Sequence, residues 1–148
     1  MKFHFWYTTL SLFFVVFATF CYLWLAGNNK LTTQVPLVDL FLMALAVMRL
    51  VRLFTYDIIT AFIRNWFVGA DPQSFLGTLG MLIHCPWCTG LWFACMVVFF
   101  YLATPIAWYA ILVLALASVA TFFQLLANLI GWKAEIAKQK AQSSVSSR

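Results

Sequence analysis

The chain has 148 residues and a formal charge of +5, and it is 65% hydrophobic, 19% aromatic and only 9% charged. A soluble domain carries roughly 25% charged residues. A globule of this length cannot hide so much apolar surface from water, so lipid must be its solvent; no interleaving of basic and aromatic residues supports nucleic-acid binding.

Residues 5–26 form a nearly unbroken apolar run, long enough to cross a bilayer. Lys2 precedes it as in a signal peptide, but bulky Trp24 stands where cleavage needs a small residue. Phe20 before Cys21 likewise argues against lipoprotein processing, so the run reads as an uncleaved first span. The polar turn GNNK follows at 27–30. A second span over 35–54 is interrupted by Asp39, Arg49 and Arg52. A basic residue at the centre of a span costs about 2.5–3.5 kcal/mol and far less near an end. Asp39 must therefore lie near one interface, and Arg49 and Arg52 near the other. Pro36 suits the first turn of this helix.

Residues 55–68 place Ile58, Ile59, Phe62, Ile63, Trp66 and Phe67 at helical spacing, with Asp57, Thr60, Ala61 and Arg64 opposite. This pattern predicts an amphipathic helix in the membrane interface, with Trp66 as an aromatic anchor. Asp71 and Pro72 predict the start of a short helix over 72–84, which Gly77 and Gly80 weaken and Pro86 ends. Residues 86–104 and 106–130 make a third and a fourth span. Residues 1–132 thus form one membrane domain, and 133–148 a basic, flexible tail. The fold class is all-α: a polytopic membrane protein with about four transmembrane helices and an interfacial helix. Lys2, Arg49, Arg52, Arg64 and the tail charges share one side, against Lys30 on the other. The positive-inside rule puts both termini, the interfacial helix and residues 84–92 on the cytoplasmic face.

Residues 84–92 read HCPWCTGLW. Pro86 suits the first helical position, which makes Cys85 the N-cap and puts Cys88 one turn inside. Free backbone N–H groups and the positive dipole end there favour a thiolate, as in a redox pair. The cytoplasm is reducing, however, and the chain carries no second pair on the far face. Cys21 and Cys95, inside apolar runs, read as small hydrophobes. Cys-x-x-Cys is also half of a zinc site, with His84 as a candidate third ligand. A complete zinc or iron site would take ligands from a second copy or a partner. A third reading is packing, with Trp87 and Trp92 as interfacial anchors. All three stand open. The cluster of Arg49, Arg52, Asp57 and Arg64 either anchors the topology or holds an anion such as a lipid phosphate. The expected partners are the bilayer, anionic lipid headgroups, and a homo-oligomer or another membrane protein.

RLVRLFTYDIITAFIR at 49–64, followed by HCPWCTGLW, resembles the YngL-like family of small bacterial and phage membrane proteins, a family of unknown function. Arg49, Arg52, Asp57, Arg64, Cys85, Pro86, Cys88, Gly90 and Trp92 carry the resemblance, which spans roughly residues 40–125. It implies a bacterial or phage source and suggests that the two clusters work as one unit. The functional reading is a membrane binding or scaffold protein rather than an enzyme. The alternative is a membrane thiol–disulfide oxidoreductase using Cys85 and Cys88.

Overall fold

The computed structural model describes residues 2–32, 34–67, 69, 71 and 74–146, with side chains for all of these except 2–4, 141 and 143–146. The described residues are helical, without strands. In chain order they form α1 (Lys2–Gly27), α2 (Leu37–Thr55), a 3-10 turn (Ile58–Thr60), α3 (Ala61–Asn65), α4 (Phe75–His84), α5 (Pro86–Ala103) and α6 (Ala107–Ser146). Three helices are long and apolar enough to cross a membrane, within Phe5–Gly27, Pro86–Ala103 and Ala107–Lys140. These make the chain a membrane protein by length and composition. The 19-residue α2 has the length, but Asp39, Arg49 and Arg52 set it apart from those three.

Side-chain contacts define how the helices run. α1 is parallel to α5: Phe17 meets Trp92 at one level and Trp24 meets Phe99 further along. α2 is antiparallel to α5, with Phe54 against Phe93 at one end and Asp39 against Tyr101 at the other. α2 packs most extensively on α6 and then on α5. The core sits at that three-helix junction, where Met43, Ala46, Val97 and Ile111 are buried. Ala46 has no exposed surface, and Ala115 and Ser118 are also buried. Small residues let helix backbones approach closely, which matters in lipid because dispersion contacts rather than water exclusion hold helices together.

One end of the bundle therefore carries the start of α1, the end of α2 and the start of α5. The other carries Lys30, Asp39 and the α5–α6 connection. Lys30 Nζ donates to the Ala103 carbonyl at 3.2 Å there. Asp39 and the two arginines of α2 lie toward opposite ends of the helix.

Several element bounds differ from the sequence reading. The expected helix over 55–68 is broken: α2 runs on to Thr55, Asp57 is extended, and only the 3-10 turn and the five-residue α3 follow. The break lets the chain fold back onto the carbonyls that end α2. The short helix starts at Phe75 rather than 72, because Ser74 caps it by accepting from the Gly77 N–H at 3.0 Å. Pro72 lies outside the described residues. α6 does not stop near 130 but continues through the basic tail, whose Ala, Glu, Lys and Gln residues are strong helix formers. Its 40 residues reach about 60 Å, roughly twice a bilayer's hydrocarbon core.

Candidate functional site

The α4–α5 joint that carries Cys85 and Cys88 is built from local necessity. Pro86 has no N–H, so the Leu82 carbonyl that would receive it is left without its helical partner. The Cys85 N–H bonds that carbonyl at 3.1 Å, and the Thr89 hydroxyl donates to it at 2.7 Å. The neighbouring Ile83 carbonyl takes the Thr55 hydroxyl from the end of α2 at 3.4 Å. Thr55 and Thr89 are both buried. Two hydroxyls thus satisfy the open carbonyls of α4 and pin three helices at one point.

Cys85 is the N-cap of α5, as its place before Pro86 predicts. Its thiol makes no capping hydrogen bond to the backbone of full geometry. It faces the Cys88 thiol, whose S–H holds the Cys85 pKa below the ordinary thiol range. The backbone N–H groups of Cys88 and Trp87 act in the same direction. Both sulfurs line a cleft of about 580 Å³ between α1, α4 and α5, together with Tyr7, Phe14, Met81 and Trp92.

His84 is bonded within its own helix. Its Nδ1 lies 2.8 Å from the Gly80 carbonyl, which can only accept, so Nδ1 is the donor. Among the described residues, no three histidine, cysteine or acidic side chains come together as a metal site. The three-ligand arrangement of His84, Cys85 and Cys88 is not assembled within one chain. Trp66 and Trp87 are 83% and 88% exposed. Trp92 is different: it packs against Phe13, Phe14 and Phe17 of α1. Position 92 shares the Cys88 face of α5, which α1 covers.

The charged cluster proves to be the closing structure of α2. Arg49 pairs with Asp57 at 3.2 Å, with side chains 22% and 27% exposed. Arg64 donates to the Phe54 carbonyl and to the Thr60 hydroxyl, each at 3.0 Å. Thr60 donates to the Leu53 carbonyl, and the Tyr56 and Asp57 N–H groups donate to the Arg52 carbonyl. Open carbonyls at a helix C-terminus attract donors and positive charge, which Arg64 supplies. Arg52 has no ion pair among the described residues.

The arginine cluster and the cysteine pair share one end of the bundle but lie on different sides of α5. Gly90, Phe93 and Val97 form the face toward α2: Gly90 approaches Val51, Phe93 meets Phe54, and Val97 joins the Met43–Ala46 core. Cys88, Trp92 and Cys95 lie on the face toward α1. At 100° per residue these stripes are nearly opposite. The expected single unit of arginines beside thiols is not what the helix geometry brings together.

Two features escaped the sequence reading. Asp39 accepts from the Tyr101 hydroxyl at 2.6 Å and from the Trp108 indole N–H at 3.2 Å, tying α2 to α5 and α6. Its position in an apolar run is the only sequence signal for such a role. Cys21 and Cys95 line one groove between α1 and α5. No sequence spacing announces that pair.

A family model described as "Protein of unknown function (DUF1360)" matches residues 69–127. The matched segment contains α4, α5 and the first half of α6, with Cys85, Cys88 and Trp92. Arg49, Arg52, Asp57 and Arg64 precede it. No curated protein and no solved structure matches the chain.

Proposed function

We propose that this chain is a four-span inner-membrane binding protein whose working site is the Cys85–Cys88 dithiol at the cytoplasmic end. The placement of both thiols in one cleft at the open start of α5 carries the reading. The fourth span is α2. Its packing along α5 and α6 and the separation of its charges toward its two ends support that assignment. The exposed apolar side chains of Ile58, Ile59, Phe62 and Trp66 suit contact with the membrane interface, while Asp57, Thr60 and Arg64 fold inward. The excess of basic residues at this end supports a cytoplasmic orientation under the positive-inside rule.

Two facing thiols are soft donors and form half of a tetrahedral zinc site. A two-fold dimer would supply the other half as an identical pair, giving four cysteine ligands. Elemental analysis of detergent-purified protein is expected to give about one zinc per two chains. The Cys85→Ser/Cys88→Ser protein is expected to lose the metal. Equal metal content in both proteins overturns the reading.

A second reading is thiol–disulfide exchange at the same pair. The lowered pKa of Cys85 beside Cys88 supports it, since this is the relation of an attacking to a resolving thiol. Thiol titration separates the two: bound metal protects both thiols until a chelator is added, whereas exchange leaves Cys85 reactive from the start. Reporter fusions at residues 27–30 and at the C-terminus are expected to report opposite sides of the membrane. Reporters on one side overturn the four-span arrangement.

A further inference from the structure

Cys21 and Cys95 belong to helices far apart in sequence, and the fold sets them side by side. Phe17 meets Trp92 with ring centroids 5.8 Å apart, and Trp24 meets Phe99 at 5.4 Å. Each helix advances seven residues between these contacts, so parallel α1 and α5 are locked in register. Cys21 lies four residues past Phe17 and Cys95 three past Trp92, at a common height between the two ring pairs. Both residues face the seam between the two helices, and Cys21 is 5% exposed. Both line an open groove of about 400 Å³ whose other walls are almost wholly apolar, including Phe14, Leu91, Val98 and Phe99. Phe14 and Leu91 also wall the cleft of Cys85 and Cys88.

We propose that Cys21 and Cys95 are a second dithiol site, oxidised to a disulfide between α1 and α5 by a quinone-class acceptor arriving through the lipid. The two helices are the apolar spans themselves, so the groove between them opens to hydrocarbon rather than to water. Charged oxidants of the aqueous phase meet a barrier there. A flat apolar ring partitions into lipid and suits aromatic walls. The chemistry balances. Both S–H bonds break and one S–S bond forms, and the two electrons and two protons convert the quinone to its hydroquinone. Thiols that line one groove at a common height on two locked helices are placed to close a disulfide without large backbone movement. The product ties α1 covalently to α5.

The site stands apart from Cys85 and Cys88, so the test removes that pair. The Cys85→Ser/Cys88→Ser protein is reconstituted in vesicles and exposed to a fully ring-substituted benzoquinone, which cannot arylate thiols. Mass spectrometry is expected to find Cys21- and Cys95-containing peptides joined within one chain, with one hydroquinone formed per disulfide. Oxidised glutathione at the same concentration is expected to act at least about tenfold more slowly, because its charges keep it out of the hydrocarbon. Adding Cys95→Ala is expected to abolish hydroquinone formation. Wild-type protein with Cys85 and Cys88 first blocked by an impermeant maleimide gives the same readout without those substitutions. Free thiols after quinone treatment, joining between chains, or equal rates with glutathione overturn the proposal.

Discussion

The Tyr101 hydroxyl donates to Asp39 Oδ2 at 2.6 Å, joining α5 to α2 at the end of the bundle remote from the cysteine pair. The Trp108 indole adds a second donor from α6 at 3.2 Å, so one carboxylate gathers three helices. Hydrogen bonds to a carboxylate are worth about 1.5–3 kcal/mol, more than neutral ones. Tyr101→Phe is expected to lower stability by about 1–3 kcal/mol, read as a lower Tm in detergent. Exposed Tyr109→Phe serves as the control and is expected to stay within about 0.5 kcal/mol. Equal Tm values for the two would show that the Asp39 junction adds nothing.

Arg49 and Asp57 are partly covered, and Asp57 is the only acidic partner of Arg49 among the described residues. Removing it leaves a half-buried guanidinium unbalanced and loosens the turn that ends α2. Asp57→Ala is expected to cost on the order of 1–2 kcal/mol, between the values for exposed and buried pairs. Exposed Lys138→Ala is expected to cost almost nothing. Thermal melts in detergent compare them, and indistinguishable curves would reduce the cluster to topology anchoring.

The Cys88 S–H lowers the Cys85 pKa, so at any pH below the ordinary thiol range Cys85 carries more thiolate than a free cysteine. Maleimide is expected to label Cys85 before Cys88 in metal-free membranes, and Cys21 and Cys95 only after denaturation and reduction. The labelling midpoint of Cys85 is expected below that of a free thiol, and Cys88→Ala is expected to move it up by removing the donor. A midpoint unchanged by Cys88→Ala would sever the proposed link between the sulfurs.

A Cβ on Gly80 would lie 2.9 Å from the Phe67 Cβ, whose position is tied to its own backbone. Gly80→Ala is expected to force α4 away from the segment holding Phe67, at about 1–3 kcal/mol. Gly131 has nothing within 4 Å of its added Cβ and lies inside α6. Gly131→Ala is expected to stabilise by up to about 1 kcal/mol through helix propensity. Opposite signs in a denaturation assay are the expected signature, and a shared sign would count against the α4 contact.

The apolar runs, the GNNK turn, the charges confined toward helix ends and the break at Pro86 are local properties, legible residue by residue. They placed the helices at 5–26, 35–54, 86–104 and 106–130 to within a few residues, except at the far end of α6. They also placed Cys85 at the start of α5 with Cys88 one turn in. Which faces meet was not legible. α1 and α5 are apolar on nearly every side, and a helix without a polar face carries no periodic signal of what it packs against. Only the packed bundle turned Trp92 and Cys95 toward α1, turned Gly90 and Phe93 toward α2, and so separated the thiols from the arginines. Only the aromatic register between α1 and α5 brought Cys21 to Cys95, and only the α2–α5–α6 junction gave Asp39 its donors. Contacts of this kind depend on interlocking side chains across helices distant in sequence, and no spacing along one helix encodes them.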